Sequence, residues 1–302
     1  MRKQLLEELE QIVGKDGIRQ MEPMSRHTTF RVGGPADVLV APTRAALAQV
    51  IHLCQSKEEP YYIIGNGSNL LVGDGGIRGV VIETKESLKD ITVEGERIVA
   101  GAGALLSQIA ARAASYGLAG MEFAAGIPGT VGGAVVMNAG AYGGEIKDIL
   151  ESVTVLDAVG NEKKLATEEL ELGYRRSCIP KRGYIVTEAV FKLTAGDETQ
   201  IRAQMRDLAA KRSEKQPLEY PSAGSTFKRP EGYFAGKLIM DAGLRGYQVG
   251  GAQVSEKHCG FVINRGGATA ADIVKLMQDV EREVEKQFQV TLEPEVKMIG
   301  EF

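Results

Sequence analysis

Two glycine-rich segments hold the residues of this chain whose types and spacing best suit ligand binding. The first glycine segment, GNGSNLLVGDGG, spans residues 65–76, and the second, GMEFAAGIPGTVGGAVVMNAGAYGG, spans 120–144 and contains eight glycines. Glycine adopts positive φ and lets main-chain N–H groups approach a ligand without an intervening Cβ. The second segment is too apolar for a linker, and its glycine content predicts neither an ordinary helix nor a strand. Both segments are therefore interpreted as backbone cradles for a phosphate or a flat ring system.

The polar side chains in these cradles, and the motifs that they do not match, limit the ligands that they could bind. Ser68, Asn69, Thr130 and Asn138 offer hydrogen bonds of the kind that a pyrophosphate or an isoalloxazine edge accepts. A Rossmann fingerprint fails because Leu70 stands where the third glycine is needed, and neither segment ends in the Gly-Lys-Ser/Thr of a P-loop. Two such cradles fit a large cofactor better than a lone phosphate. The alternative is that both are tight turns that pack two domains together.

Composition limits the classes of partner. The chain has 302 residues, 43% hydrophobic and 25% charged, which is enough for two or three domains. A net charge of −4 argues against a nucleic-acid-binding surface. Three widely spaced cysteines favour a reducing cytosol over a disulfide framework, and no His or Cys pair has metal-ligand spacing. No signal-peptide core and no stretch of 18 apolar residues is found, so we predict a cytoplasmic protein that does not associate with membranes.

Apolar periodicity predicts the elements that must position the cradles. We expect helices over residues 2–13, after a Thr43 cap, over 105–113, over 199–212 and after a Thr269–Asp272 capping box. Strands are expected at 37–40, 61–65, 80–83, twice within 89–101, at 153–156 and at 185–193. The pattern divides the chain into units over residues 1–85, 86–197 and 198–302.

Six strings occur in a specific order along nearly the whole chain: TTFRVGG (28–34), GNGSN (65–69), AGIPGTVGGAVVMNAGAYG (125–143), YRRS (174–177), AGSTFKRP (223–230) and EPEVKMIG (293–300). With them the chain resembles the shorter-chain branch of the UDP-N-acetylenolpyruvoylglucosamine reductase (MurB) family of peptidoglycan biosynthesis. The resemblance implies an α+β, vanillyl-alcohol-oxidase-like (PCMH-type) FAD-binding fold. Residues 1–85, with the N-terminal helix, and 86–197 would be its two subdomains, and 198–302 an α+β substrate-binding domain.

The resemblance also implies which residues contact FAD. The pyrophosphate would lie against Gly65, Asn66, Gly67, Ser68 and Asn69. The flavin ring would lie against Ala125, Gly126, Ile127, Pro128, Gly129, Thr130, Gly132, Gly133, Asn138, Ala139 and Gly140. Because none of the three histidines lies in a cradle, we expect FAD to be held non-covalently.

Three reacting groups, Arg175, Ser225 and Glu295, follow from the same resemblance. Hydride addition to an enolpyruvyl group leaves negative charge that an arginine and a carboxylic acid can stabilise, and a serine hydroxyl can supply the proton. Without the family match, Arg175 would be interpreted as a surface cation, Ser225 as a turn or cap residue, and Glu295 as an exposed carboxylate opening a strand.

Four further residues would bind the substrate: Tyr174, Lys215, Arg229 and Lys297. Arg229 and Lys297 depart from longer-chain members of the family, which have Asn and Arg at these positions. The shorter branch also lacks an inserted tyrosine-bearing loop that closes over the substrate.

The implied reaction is the reduction of UDP-N-acetylglucosamine enolpyruvate by NADPH through FAD, giving UDP-N-acetylmuramate. No metal, nucleic acid, membrane or obligate protein partner is expected. Two alternatives remain from the residues alone: an FAD-dependent oxidase or dehydrogenase of a small alcohol or acid on the same fold, and a non-catalytic flavin- or nucleotide-sugar-binding regulator.

Overall fold

The structure, a computed structural model, describes residues 3–302, which form seven α-helices and nineteen β-strands. The helices are α1 Lys3–Val13, α2 Arg44–Ser56, α3 Leu106–Ser115, α4 Val131–Met137, α5 Glu198–Lys215, α6 Ala235–Asp241 and α7 Ala270–Phe288. The first ten strands are β1 Ile18–Pro23, β2 Pro35–Val40, β3 Tyr61–Ile64, β4 Leu70–Val72, β5 Ile77–Glu83, β6 Ile91–Glu94, β7 Arg97–Gly101, β8 Leu118–Ala119, β9 Gly140–Ala141 and β10 Gly144–Glu145. The others are β11 Leu150–Leu156, β12 Glu162–Ala166, β13 Ile185–Lys192, β14 Thr194–Ala195, β15 Ser222–Ser225, β16 Gln248–Val249, β17 Ala252–Val254, β18 Phe261–Asn264 and β19 Lys297–Ile299. Residue 2, which the sequence assigned to the first helix, lies outside the described residues.

The strands form three larger sheets and three pairs. The larger sheets have the orders β1-β2-β5-β3, β12-β11-β13-β7-β6 and β15-β18-β17-β16, and the pairs are β10-β9, β14-β8 and β19-β4. The five-stranded sheet is antiparallel throughout, whereas β3 with β5 and β19 with β4 are parallel. The described chain divides into two compact units, with residues 3–20, 38–66 and 79–212 in unit 1 and residues 21–37, 67–78 and 213–302 in unit 2. The division at residues 85 and 197 stays a prediction.

Unit 1 is organised around the five-stranded antiparallel sheet and helices α2, α3 and α4. As predicted, Thr43 caps α2, accepting a hydrogen bond from the Ala46 N–H at 3.3 Å. The apolar stripe of α2 is buried in the unit 1 core, whereas His52 on the same helix is exposed.

Unit 2 is organised around β15-β18-β17-β16 and the long helix α7. The predicted capping box is present: the Asp272 N–H donates to Thr269 Oγ1 and the Thr269 N–H to Asp272 Oδ2, each at 3.0 Å. Asp74, at the end of the first glycine segment, also accepts from the Ala270 and Ala271 N–H groups at 2.8 and 2.9 Å. A carboxylate at a helix N-terminus is favourable because it meets unsatisfied N–H donors. The first glycine segment is thereby tied to α7.

The structure differs from the sequence prediction in two places. The second glycine segment contains the helix α4, since Val131, Ala134 and Val135 pack into the unit 1 core and offset the low helix propensity of its two glycines. Strand β1 was not predicted, because its pattern of partly buried and exposed residues has no apolar alternation. Within residues 3–302, no helix is both long and apolar enough to cross a membrane.

Candidate active site

In unit 1, the start of the first glycine segment lies against the second. The Asn66 amide donates to the Pro128 carbonyl at 2.6 Å, and a Cβ built on Gly65 would overlap the Thr130 hydroxyl. A side chain at position 65 would therefore require the Thr130 side chain to move. The structure brings together two of the segments that were predicted to bind one cofactor.

Near this contact, Thr130 has an unsatisfied hydroxyl group and Gly133 has open space beside its backbone. Thr130 is 1% exposed, and among the described residues its Oγ1 has no hydrogen-bond partner. A buried hydroxyl without a partner costs free energy unless a ligand or water satisfies it. Gly133 lies on α4 and is exposed, and a Cβ built there would approach only Thr130 Oγ1, at 3.7 Å. An unsatisfied hydroxyl beside an open stretch of helix backbone fits a polar-edged, flat ligand such as FAD.

Arg212 is a residue of this region that the sequence argument missed. A Cβ on Gly126 would lie 3.0 Å from its Nη1, so the guanidinium is packed against the glycine segment. Burial lowers the pKa of Arg212, while the arginine remains a cation. It lies near the end of α5, a mostly exposed helix. Nothing in the local sequence distinguishes it from Arg206 or Lys211.

Asn138 connects the second glycine segment to the turn that carries Arg175. It caps the C-terminus of α4 with φ 41° and ψ 58°, and its Nδ2 donates to Glu145 Oε2 at 2.9 Å and to the Gly173 carbonyl at 3.3 Å. Gly173 pairs with Arg176 across a two-residue turn in which Arg175 has φ 54°. A non-glycine residue at this φ is uncommon and persists where its surroundings impose it. The described contacts of Asn138 therefore position the Arg175 turn, and its contact with a cofactor stays a prediction.

The other two predicted reacting groups lie close together in unit 2. Ser225 is the last residue of β15, and the next residue, Thr226, accepts the Glu295 N–H through its carbonyl at 2.8 Å. Phe227 and Pro294 form the adjacent antiparallel bridge. Ser225 and Glu295, 70 positions apart in sequence, are thus held on neighbouring backbone segments.

Glu295 is buried, although its sequence context alone suggested an exposed carboxylate. It is 7% exposed, so the expectation of a solvated carboxylate is wrong, and β19 begins two residues later, at Lys297. Asn69 holds the same segment, because its Nδ2 donates to the Glu295 carbonyl at 3.2 Å and its carbonyl accepts the Lys297 N–H at 2.9 Å. Asn69 was predicted to contact the pyrophosphate. Its position adds a structural connection between the first glycine segment and Glu295.

All four predicted substrate-binding residues are exposed. Tyr174 is 58% exposed, and the Arg175 guanidinium carbon lies 5.7 Å from the centre of its ring. Lys215, the last residue of α5, and Lys297 are exposed. Arg229 is exposed too, with its guanidinium 3.9 Å from the Phe234 ring and its Nε donating to the Tyr233 carbonyl at 3.2 Å. The assignment of these exposed residues to the substrate stays a prediction.

The chain is similar to known proteins over nearly its whole length. Residues 216–299 match the model of the UDP-N-acetylenolpyruvoylglucosamine reductase C-terminal domain, and residues 35–166 match that of an FAD binding domain. The chain is 58% identical to the UDP-N-acetylenolpyruvoylglucosamine reductase of Agathobacter rectalis, covering 99% of this chain and 98% of the relative. It is 57% identical to that of Clostridium botulinum strain Langeland, with the same coverage.

A solved structure is also similar. The crystal structure of UDP-N-acetylenolpyruvylglucosamine reductase (MurB) from Thermus caldophilus superposes with a TM-score of 0.79 at 39% identity, covering 91% of this chain and 97% of the other. The predicted α+β FAD-binding fold is confirmed, and so is the resemblance drawn from the six ordered strings. This chain belongs to the UDP-N-acetylenolpyruvoylglucosamine reductase family.

Proposed function

We propose that the protein is an FAD-dependent UDP-N-acetylmuramate dehydrogenase, which reduces UDP-N-acetylglucosamine enolpyruvate with NADPH in peptidoglycan synthesis. The observation that carries this proposal is the backbone pairing that holds Ser225 beside a buried Glu295. A silent binding protein or an oxidase of a small alcohol has no need of this pair.

Non-covalent FAD is assigned to the two glycine segments. Thr130 is proposed to donate its unsatisfied hydroxyl hydrogen to the cofactor, and the exposed backbone at Gly133 to lie against its ring. Arg212, packed on Gly126, adds a cation to the same region. Bound FAD supplies the hydride-transfer chemistry, and the protein supplies binding, orientation and charge.

The reacting side chains have separate roles. When hydride adds to the terminal vinyl carbon, the electron pair of the double bond moves to the neighbouring carbon and its carboxylate. Arg175 and Glu295 stabilise this charge, since a permanent cation and a protonated acid both favour an enolate-like oxygen. Ser225 then gives its proton to the neighbouring carbon and regains one from solvent, so that one hydride and one proton are added in all.

Substrate recognition is assigned to exposed cations. Lys215 and Arg229 are proposed to contact the diphosphate, with Tyr174 and Lys297 as further contacts. The three cysteines are buried and free, which is consistent with a reducing cytoplasm as the site of the reaction.

The test separates cofactor binding from the two half-reactions. The purified protein is expected to release FAD on denaturation, and its reduced flavin is expected to be reoxidised rapidly by UDP-N-acetylglucosamine enolpyruvate without oxygen. A colourless protein that takes up no FAD would remove the cofactor assignment, and reduced flavin that persists with excess substrate would remove the substrate.

A Ser225→Ala variant tests the proton donor. It is expected to be reduced by NADPH at the wild-type rate and to lose the second half-reaction, because only protonation of the product carbon needs the hydroxyl. Wild-type turnover by this variant would reject the role given to Ser225.

A further inference from the structure

Thr226 lies at the point where one strand changes its pairing partner. In the sheet, Ser222 pairs with Ile263 and Ser225 with Phe261, so β15 contains one residue more than β18 between the two pairs. Gly224 has φ 77° at this bulge, a conformation that favours glycine. After the bulge the chain leaves β18 and pairs with residues 293–295.

The Thr226 side chain takes part in this change. Its hydroxyl oxygen accepts the Val262 N–H at 2.9 Å, a position at which a regular ladder uses a main-chain carbonyl. The Thr226 N–H donates to the Gly260 carbonyl at 2.9 Å, and its own carbonyl is used by Glu295. Thr226 is 0% exposed, so no water replaces these partners.

We propose that Thr226 is a positioning residue for the protonation step, because its hydroxyl completes the β18 ladder while its carbonyl fixes Glu295. Ser225 directly precedes Thr226, so Thr226 alone sets the spacing between the Ser225 and Glu295 backbones. This inference rests on the proposed function. Small displacements of reacting groups slow chemistry strongly, about 100-fold for an error of about 1 Å.

Thr226→Val is the deciding variant. Valine keeps the branched shape but cannot accept a hydrogen bond, which leaves the buried Val262 N–H without its partner. We expect reoxidation of the reduced flavin by UDP-N-acetylglucosamine enolpyruvate to slow by about 10- to 100-fold. Reduction by NADPH, measured per bound flavin, is expected to stay within about twofold of the wild type, because that half-reaction needs no proton from Ser225.

Two further variants distinguish a positioning role from a general loss of structure. Thr226→Ser retains the acceptor and is expected to restore most of the second half-reaction. Thr187→Val removes a different buried threonine hydroxyl, which donates to the Thr154 carbonyl at 3.1 Å in unit 1, and is expected to leave both half-reactions unchanged. If Thr226→Val does not fold, Thr226→Cys takes its place, since sulfur is only a weak acceptor.

The outcomes separate this inference from the proposed function. A wild-type enzyme that the substrate does not reoxidise contradicts the function itself. A wild type that is reoxidised, together with a Thr226→Val or Thr226→Cys variant that matches it, overturns the positioning role alone. Equal slowing of both half-reactions, with no recovery in Thr226→Ser, would show a merely structural residue and overturn it as well.

Discussion

Gly133→Ala tests whether the helix backbone of the second glycine segment faces a ligand. Position 133 is exposed, is helical, and has no atom closer than 3.7 Å to an added Cβ. Alanine therefore causes no clash within the chain. Replacing glycine by alanine inside a helix stabilises it by about 0.5–1 kcal/mol. The free energy of unfolding of the FAD-free protein is expected to rise by up to this amount.

FAD binding is expected to change in the opposite direction. If a ring lies on this backbone, the new methyl occupies its contact surface, and overpacking of this kind costs about 1–3 kcal/mol. Because about 1.4 kcal/mol corresponds to a tenfold change in Kd, the affinity should fall by about 5- to 150-fold. Fluorescence titration of the FAD-free protein measures Kd, and denaturant unfolding measures stability.

A Gly65→Ala variant is the matched control. Its Cβ overlaps Thr130 within the chain, so it is expected to destabilise the FAD-free protein as well as to weaken binding. Gly133→Ala with a wild-type Kd would refute the placement of a ring against α4. A loss of stability in that variant would refute the steric argument itself.

Three other perturbations have directions that follow from single contacts. Thr130→Val is expected to weaken FAD binding about tenfold while leaving the FAD-free protein as stable or more so, because it removes a buried hydroxyl without a partner; an unchanged Kd contradicts this. Lys215→Ala is expected to raise KM for the UDP-sugar about tenfold at low salt and less at high salt, whereas Lys211→Ala on the same helix should leave KM unchanged. Equal effects of the two substitutions would show that the helix acts only through its overall positive charge, without a specific contact from Lys215. Hydrogen bonds, first from Lys275 and then from Tyr247 and other partners, lower the pKa of Asp279 to about 2, below its unfolded value of 3.8. The stabilisation from Asp279 is therefore present above pH 4 and is lost as the pH falls through 2. Across that range the free energy of unfolding of the wild type should fall by about 1–2 kcal/mol more than that of Asp279→Asn; the exposure of its partners Lys275 and Arg282 to solvent keeps this difference small. Parallel curves of unfolding free energy against pH for the two proteins would contradict this prediction.

Local signals predicted the elements with strong periodicity or a cap. The Thr43 cap and the Thr269–Asp272 capping box depend on residues one turn apart, so the sequence contains all of their chemistry. Helix α4 could not be predicted in this way, because its stability comes from the burial of Val131 and its neighbours in a core assembled from distant segments. Propensity alone favoured an irregular loop there.

The candidate site was predictable in its residue types and not in its connections. Family resemblance named Ser225 and Glu295, but the burial of Glu295 depends on pairing between segments about 70 residues apart. No short pattern encodes such a pairing. Arg212 was missed for a related reason, since its contact with Gly126 joins the end of α5 to a glycine segment far earlier in the chain.

Two motif residues use their side-chain amides to hold the backbone near the predicted reacting groups. Asn138 bonds the carbonyl of Gly173 and thereby holds the turn of Arg175, and Asn69 bonds the carbonyl of Glu295. A main-chain carbonyl is present whatever the side chain of its residue. A hydrogen bond to it therefore fixes the position of a reacting residue without altering the chemistry of that residue's side chain. Substitutions at Asn69 and Asn138 should therefore change how well the reacting groups are placed. Their effect on the rate of the second half-reaction should exceed their effect on the binding of the UDP-sugar, because we assign that binding to separate cations at the surface.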